Sequence, residues 1–110
     1  MSNLPSRDDV HVLIKAWQAE GLKVGLTSGV FDLLHVGHLD YLIQSKQVCD
    51  RLVIAVNSNN SVKSYKGPNR PILDEVQRAK LVAGLKPTDA VFIFDERNNN
   101  LNIEKLRPDV

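Results

Sequence analysis

The segment Arg51–Asn57 reads Arg-Leu-Val-Ile-Ala-Val-Asn, and it limits the fold more than any other stretch. Leu52 to Val56 are consecutive apolar residues with no polar alternation. A strand with one wet face alternates with a period of two, whereas a strand covered on both faces does not. The run therefore predicts an inner strand of a parallel sheet held between two layers of helices. Shorter apolar runs at 23–28 and 90–94 predict two further strands. Helical patterns separate them. Residues 6–20 carry Val10, Leu13, Ile14 and Trp17 at the i, i+3, i+4, i+7 spacing of a buried stripe. Ser6 is the expected N-cap, Asp8 and Asp9 lie in the first turn, and Gly21 ends the helix. A second helix is expected over 37–48, and a third over 74–84 with Asp74 as N-cap, Gln77 at the capping-box position and Gly84 near its end. A short one is expected over 101–106, and residues 58–71 read as a polar connection. Helix and strand alternate throughout, so the class is α/β with a parallel three-layer arrangement.

Length and charge narrow the function classes. The 110 residues suit one domain, taken as 1–110. Fourteen Lys and Arg against 13 Asp and Glu leave a net charge of +1, which argues against a nucleic-acid arm or a polybasic membrane anchor. The single cysteine, Cys49, excludes an internal disulfide framework and a multi-cysteine zinc site. No apolar run approaches the ~20 residues of a membrane span, and the first residues have no apolar signal core. The expected compartment is the cytoplasm.

The segment that carries chemistry is Thr27-Ser28-Gly29-Val30-Phe31-Asp32-Leu33-Leu34-His35-Val36-Gly37-His38, between the first strand and the second helix. Ligands of doubly wound sheets bind at the carboxyl ends of strands, beside helix N-termini whose free N–H groups favour anions. Gly29 and Gly37 allow backbone to come close to a phosphate. His35 and His38, three apart at a helix start, can face one side and donate hydrogen bonds to phosphoryl oxygens. Other chemistries lack a necessary part. A zinc site has no evident third ligand. The Gly-x-Gly-x-x-Gly dinucleotide fingerprint, the Gly-Lys-Ser/Thr phosphate loop and the Gly-x-Ser-x-Gly nucleophile elbow are all missing from this turn.

Gly29-Val30-Phe31-Asp32-Leu33-Leu34-His35-Val36-Gly37-His38 resembles the signature of the cytidylyltransferase-like nucleotidyltransferases, which carry His-x-Gly-His at a strand-to-helix turn. Within them the chain is most similar to the adenylyltransferase domain of ADP-heptose synthases, the RfaE type. The likeness covers nearly the whole chain, including Asp50 to Ser58, Ser61-Val62-Lys63, Lys66-Gly67-Pro68-Asn69-Arg70-Pro71, Gln77-Arg78 and Arg107-Pro108-Asp109-Val110. It implies a Rossmann-like fold of the HUP type (the adenine nucleotide α-hydrolase class), with strand order 3-2-1-4-5 and helices on both faces.

The resemblance also implies a reaction and a set of roles. A sugar or alcohol phosphate attacks the α-phosphorus of a nucleoside triphosphate, and pyrophosphate leaves. The attacking group is already anionic, so catalysis is positioning plus stabilisation of charge on phosphoryl oxygens. His35, His38 and Lys66 would be the catalytic contacts. Ser28, Gly29, Val30, Phe31, Asp32, Gly37 and Arg78 would bind the nucleotide, with Asp32 either serving the ligand or capping the loop. Asn59 and Arg70 would face the acceptor. Lys46 either borders the pocket or is a surface lysine. No protein metal site is expected; Mg²⁺ would come with ATP or CTP, held by phosphates and water. The expected partners are the triphosphate and a phosphorylated sugar, heptose 1-phosphate first, with no nucleic acid or membrane. A homodimer or a longer parent chain is expected.

Three departures from the family pattern bear on this expectation. Asn59 stands where these enzymes commonly have Asp, and Cys49, read as a buried small residue without redox role, stands where Gly is usual. Family members continue beyond the position of Val110 with a fourth strand, a Lys-x-Gly-Asp-type segment and a Ser-Thr-rich turn. Without a fourth strand, residues 23–28 would form an unpaired apolar edge. The alternatives are a cytidylyltransferase for a small alcohol phosphate such as glycerol 3-phosphate, and a nucleotide-binding module without turnover.

Overall fold

The structure, a computed structural model, describes residues 4–66 and 71–110. Its elements run α1 (Arg7–Ala19), β1 (Val24–Gly29), α2 (Val36–Lys46), β2 (Arg51–Asn57), α3 (Asn59–Lys66), α4 (Glu75–Ala83), β3 (Ala90–Phe94) and α5 (Asn100–Leu106). The strands form one parallel sheet in the order β1-β2-β3, with Val24 opposite Arg51 and Val53 opposite Ala90. The inner strand is the one with the unbroken apolar run, and Leu52 to Asn57 are all buried. One face packs Val53, Ala55, Phe92 and Phe94 against Val10, Ile14 and Leu106 of α1 and α5. The other packs Leu52, Ile54, Val56 and Val91 against Leu42 of α2 and Ala79 and Val82 of α4. The expected α/β, three-layer, Rossmann-like architecture is therefore present.

Local signals explain the helix ends. The Ser6 hydroxyl accepts from the Asp9 N–H, and the Asp9 carboxylate accepts from the Ser6 N–H, a reciprocal cap. Gly21 ends α1 with φ of +83°, a conformation without cost only for glycine. The Asp74 carboxylate accepts from the Gln77 N–H at the start of α4.

Two expectations are corrected. Leu13 is exposed, so the buried stripe of α1 is narrower than its periodicity suggests. Residues 59–66 form a helix rather than a polar connection, capped by the Ser58 hydroxyl accepting from the Ser61 N–H and anchored by buried Val62. A third expectation is modified. β1 lies at the sheet edge, but its first half is covered: the Asp109 and Val110 N–H groups donate to the Val24 carbonyl, and the Leu26 N–H donates to the Val110 carbonyl. This is a parallel pairing of Val110 with β1.

Candidate functional site

The loop between β1 and α2 leaves the carboxyl end of β1 and turns sharply at Phe31, whose φ of +53° lies in the left-handed region. An aromatic residue adopts that conformation only where its surroundings over-determine it. Here Phe31 is 5% exposed, and its ring joins the α2–α4 core. Gly29 makes the turn possible in a way its motif position did not suggest. A Cβ there would lie 2.8 Å from Cε2 of Phe31. Gly37 acts likewise for His35: a Cβ would lie 2.7 Å from its Cε1 and 3.0 Å from its Nδ1. Both glycines make room for the protein's own rings.

The histidines are set by their backbone contacts. His35 is the N-cap of α2 in an extended conformation, and its Nδ1 accepts from the Gly37 N–H at 3.0 Å. His38 Nδ1 accepts from the His35 N–H at 3.1 Å. The two rings lie 4.1 Å apart, and His38 also stands 5.6 Å from the Phe31 ring. A ring nitrogen that accepts carries no proton, so each neutral imidazole bears its proton on Nε2. The arrangement thus makes two Nε2–H donors side by side at a helix N-terminus. Burial, and then the neighbouring His35, hold the His38 pKa below the ordinary 6.5. Both causes favour the neutral ring.

Asp32 follows Phe31 and reaches across to the start of α4. Its carboxylate accepts from the Ile72 N–H at 2.8 and 3.0 Å and from the Leu73 N–H at 2.8 Å. This is loop fixing, one of the two roles expected for it.

A cavity of about 300 Å³ opens over this loop, lined by Val30, Phe31, Asp32, Leu33, His35, His38, Val62 and Lys66. It gathers six of the expected site residues, Val30, Phe31, Asp32, His35, His38 and Lys66, although Lys66 comes from a different helix. Ser28 and Gly29 end β1 beneath the loop, and Gly37 lies in the first turn of α2. Arg70 lies outside the described residues. Lys46 sits at the far end of α2 in an ion pair with Asp89, away from the cavity.

Arg78 and Asn59 are joined to each other. Arg78 is 0% exposed. Its guanidinium donates to the carbonyls of Leu73 (2.9 Å), Val30 (2.8 Å) and Asn57 (2.7 Å), and to Oδ1 of Asn59 (2.9 Å). The Asn59 N–H donates to the Glu75 carboxylate at 2.8 Å. Sequence reasoning passed over Leu33 and Val62 as cavity walls and Glu75 as the support of Asn59. For Val62 a signal existed, since it is an isolated apolar residue among polar neighbours.

Comparison with known proteins follows the same segments. The cytidylyltransferase-like family model matches residues 26–110. The protein described as Bifunctional protein HldE of Caulobacter vibrioides is 44% identical over 97% of this chain and 22% of its own length. The Koribacter versatilis protein of that description is 45% identical over 96% of this chain and 22% of its own. The chain thus spans about a fifth of the length of these curated relatives. A solved structure, the lipopolysaccharide core biosynthesis protein from Thermoplasma volcanium, superposes with a TM-score of 0.71 at 35% identity. That match covers 81% of this chain and 71% of the other.

Proposed function

The chain belongs to the cytidylyltransferase-like family, a family of nucleotidyltransferases, and from that premise we propose that it takes part in transfer of AMP from ATP to a sugar 1-phosphate, heptose 1-phosphate first among acceptors. A phosphate oxygen of the acceptor attacks the α-phosphorus, the bond from that phosphorus to the bridging oxygen breaks, and pyrophosphate departs with the electron pair. No side chain needs to remove a proton, because the acceptor oxygen is already anionic at neutral pH. What the protein supplies is alignment and donors for the charge on the phosphoryl oxygens.

The observation that carries this reading is the pair of Nδ1-anchored histidines, whose Nε2–H groups are the remaining donors beside the cavity. Lys66 lines the same cavity, and an ammonium on a flexible stem suits a phosphate chain whose charge shifts during reaction. The acceptor class is supported by the resemblance to ADP-heptose synthases and by the solved neighbour described as a lipopolysaccharide core biosynthesis protein. Among the described residues, no three His, Cys, Asp or Glu converge on a point that would hold a metal ion. Mg²⁺ is proposed as the companion of the triphosphate, held by phosphates and water.

Pyrophosphate release, measured for ATP and CTP against heptose 1-phosphate, glycerol 3-phosphate and no acceptor, tests the proposal. Release that requires both ATP and the sugar phosphate is expected. A preference for CTP with glycerol 3-phosphate would replace the substrate assignment. Nucleotide binding without release under any pairing would reject turnover.

A further inference from the structure

Arg78 has no part in the reaction as written, yet it is wholly buried and joins four places at the carboxyl edge of the sheet. They are the loop after β1, the end of β2, the start of α3 and the segment before α4. Burying a guanidinium is costly unless its donors are satisfied, so the convergence of these acceptors is a built feature.

Its contact with Val30 has a directional consequence. In a trans peptide the carbonyl and the following N–H point in opposite directions. The Val30 carbonyl is drawn 2.8 Å from Nη1 of Arg78. The Phe31 N–H of the same peptide is therefore turned away from Arg78. Val30 and Phe31 both line the cavity, whereas Arg78 is not part of its wall. On the other side of Phe31, the Asp32 carboxylate is tied to the Ile72 and Leu73 N–H groups. The strained residue is thus fixed from both sides by the segment 72–78, and Arg78 carries the half that orients its N–H.

We propose that Arg78 is a positioning residue: through the Val30 carbonyl it aims the Phe31 N–H at a phosphoryl oxygen of the nucleotide, and through Oδ1 of Asn59 it registers the start of α3 to the same frame. This rests on the nucleotidyl-transfer reading. It assigns no substrate contact to the guanidinium itself. Lysine cannot replace it, because a single ammonium cannot span acceptors spread around a planar fork.

The chain has three phenylalanines, Phe31, Phe92 and Phe94, so ¹⁵N-Phe labelling yields three amide signals. Phe92 and Phe94 lie in β3 and serve as internal references. Addition of ATP is expected to move the Phe31 signal and leave the other two nearly in place. In Arg78→Lys, the Phe31 signal of the free protein is expected to shift, its response to ATP to shrink, and kcat/KM for ATP to fall about 10- to 100-fold, the range for losing a hydrogen bond to a charged group. A merely destabilised protein would instead lose active fraction at unchanged KM. Calorimetry that detects ATP binding while the wild-type Phe31 signal stays still overturns this inference and leaves the proposed function standing, and it does so even if Arg78→Lys fails to fold. A folded Arg78→Lys with unchanged Phe31 signal and unchanged kcat/KM also overturns it. Failure of the wild type to bind ATP at all rejects the proposed function, and this inference with it.

Discussion

Replacing Gly37 by alanine should separate activity from stability, because its two structural effects oppose each other in folding and not in function. A Cβ at this position falls 2.7 Å from Cε1 of His35 and 3.0 Å from its Nδ1, closer than non-bonded carbon atoms sit. The backbone of α2 cannot yield cheaply, so the His35 ring turns outward. That breaks the 3.0 Å bond from the Gly37 N–H to His35 Nδ1. Loss of such a cap costs about 1 kcal/mol. Alanine in a helix gains up to about 1 kcal/mol over glycine. The net change is near zero, and the melting temperature should stay within about 5 °C of wild type. Turnover should fall about 100-fold, the usual cost of one misplaced oxyanion donor. The assays are a thermal melt and pyrophosphate release, each repeated in a His35→Ala background. If Gly37→Ala acts through His35, it costs little more once the imidazole is gone. Wild-type turnover in Gly37→Ala would refute the reasoning. So would a full further loss in the His35→Ala background.

The same geometry makes three further predictions. His38→Asn keeps an acceptor near the Nδ1 position for the His35 N–H and removes the Nε2 donor, so it should melt like wild type yet lose about 100-fold in kcat; His38→Gln should do less harm to turnover and more to stability, and the reverse order of melting temperatures would contradict the assigned tautomer. The pKa of His38 is lowered in the fold, so its contribution to stability is present above the unfolded value of about 6.5 and is lost as pH falls through the folded value; ring ¹⁵N shifts should show His38 titrating below 6.5, and a value above it would reject the neutral Nδ1 acceptor. Gly29→Ala places a Cβ 2.8 Å from the Phe31 ring, which can relieve the clash only by leaving its packing in the α2–α4 core, so a loss of about 1–3 kcal/mol is expected in denaturant unfolding; an unchanged midpoint would show that the ring is not held there.

The legibility of this chain depended on whether a signal was local. β2 was readable because five apolar residues in a row have one explanation in an α/β chain. Helices α1 and α4 were readable from Ser6 and Asp74, since an N-cap acts on a backbone N–H three residues away. Helix α3 was not, because Val62 is the one apolar residue among its first six, and one apolar residue makes no periodic stripe. At the site, spacing predicts that His35 and His38 share a face; it does not say which ring nitrogen is occupied, and the donor assignment follows from that. Arg78 was the least legible. Arginine is seldom fully buried, and its acceptors at Val30, Asn57 and Asn59 lie 48, 21 and 19 residues away. No local pattern carries information over such separations.

The two ends of the sheet are closed by opposite charges, and this shows why the site belongs at one of them. At the amino edge the unpaired groups are N–H donors, and carboxylates take them. Asp50 accepts from the Lys23 N–H, Asp89 from the Leu52 N–H, and Asp109 from the Val24 N–H, each at 2.8 Å. Each of these aspartates stands just before a pairing segment and secures the start of its neighbour. The bond from Val24, then that from Gln18, hold the Asp109 carboxyl below the ordinary carboxylate value, so the tie is present at neutral pH and weakens as pH falls through the lowered value. At the carboxyl edge the exposed groups are carbonyls, and Arg78 takes those of Val30 and Asn57. Anionic caps make the amino edge a poor place for a triphosphate. With carbonyls bound by a buried cation, the carboxyl edge presents N–H groups, two imidazole donors and Lys66 to the cavity. A net charge of +1 is enough for a polyphosphate ligand because the donors are local and oriented, whereas the carboxylates that balance them include the three that close the opposite edge.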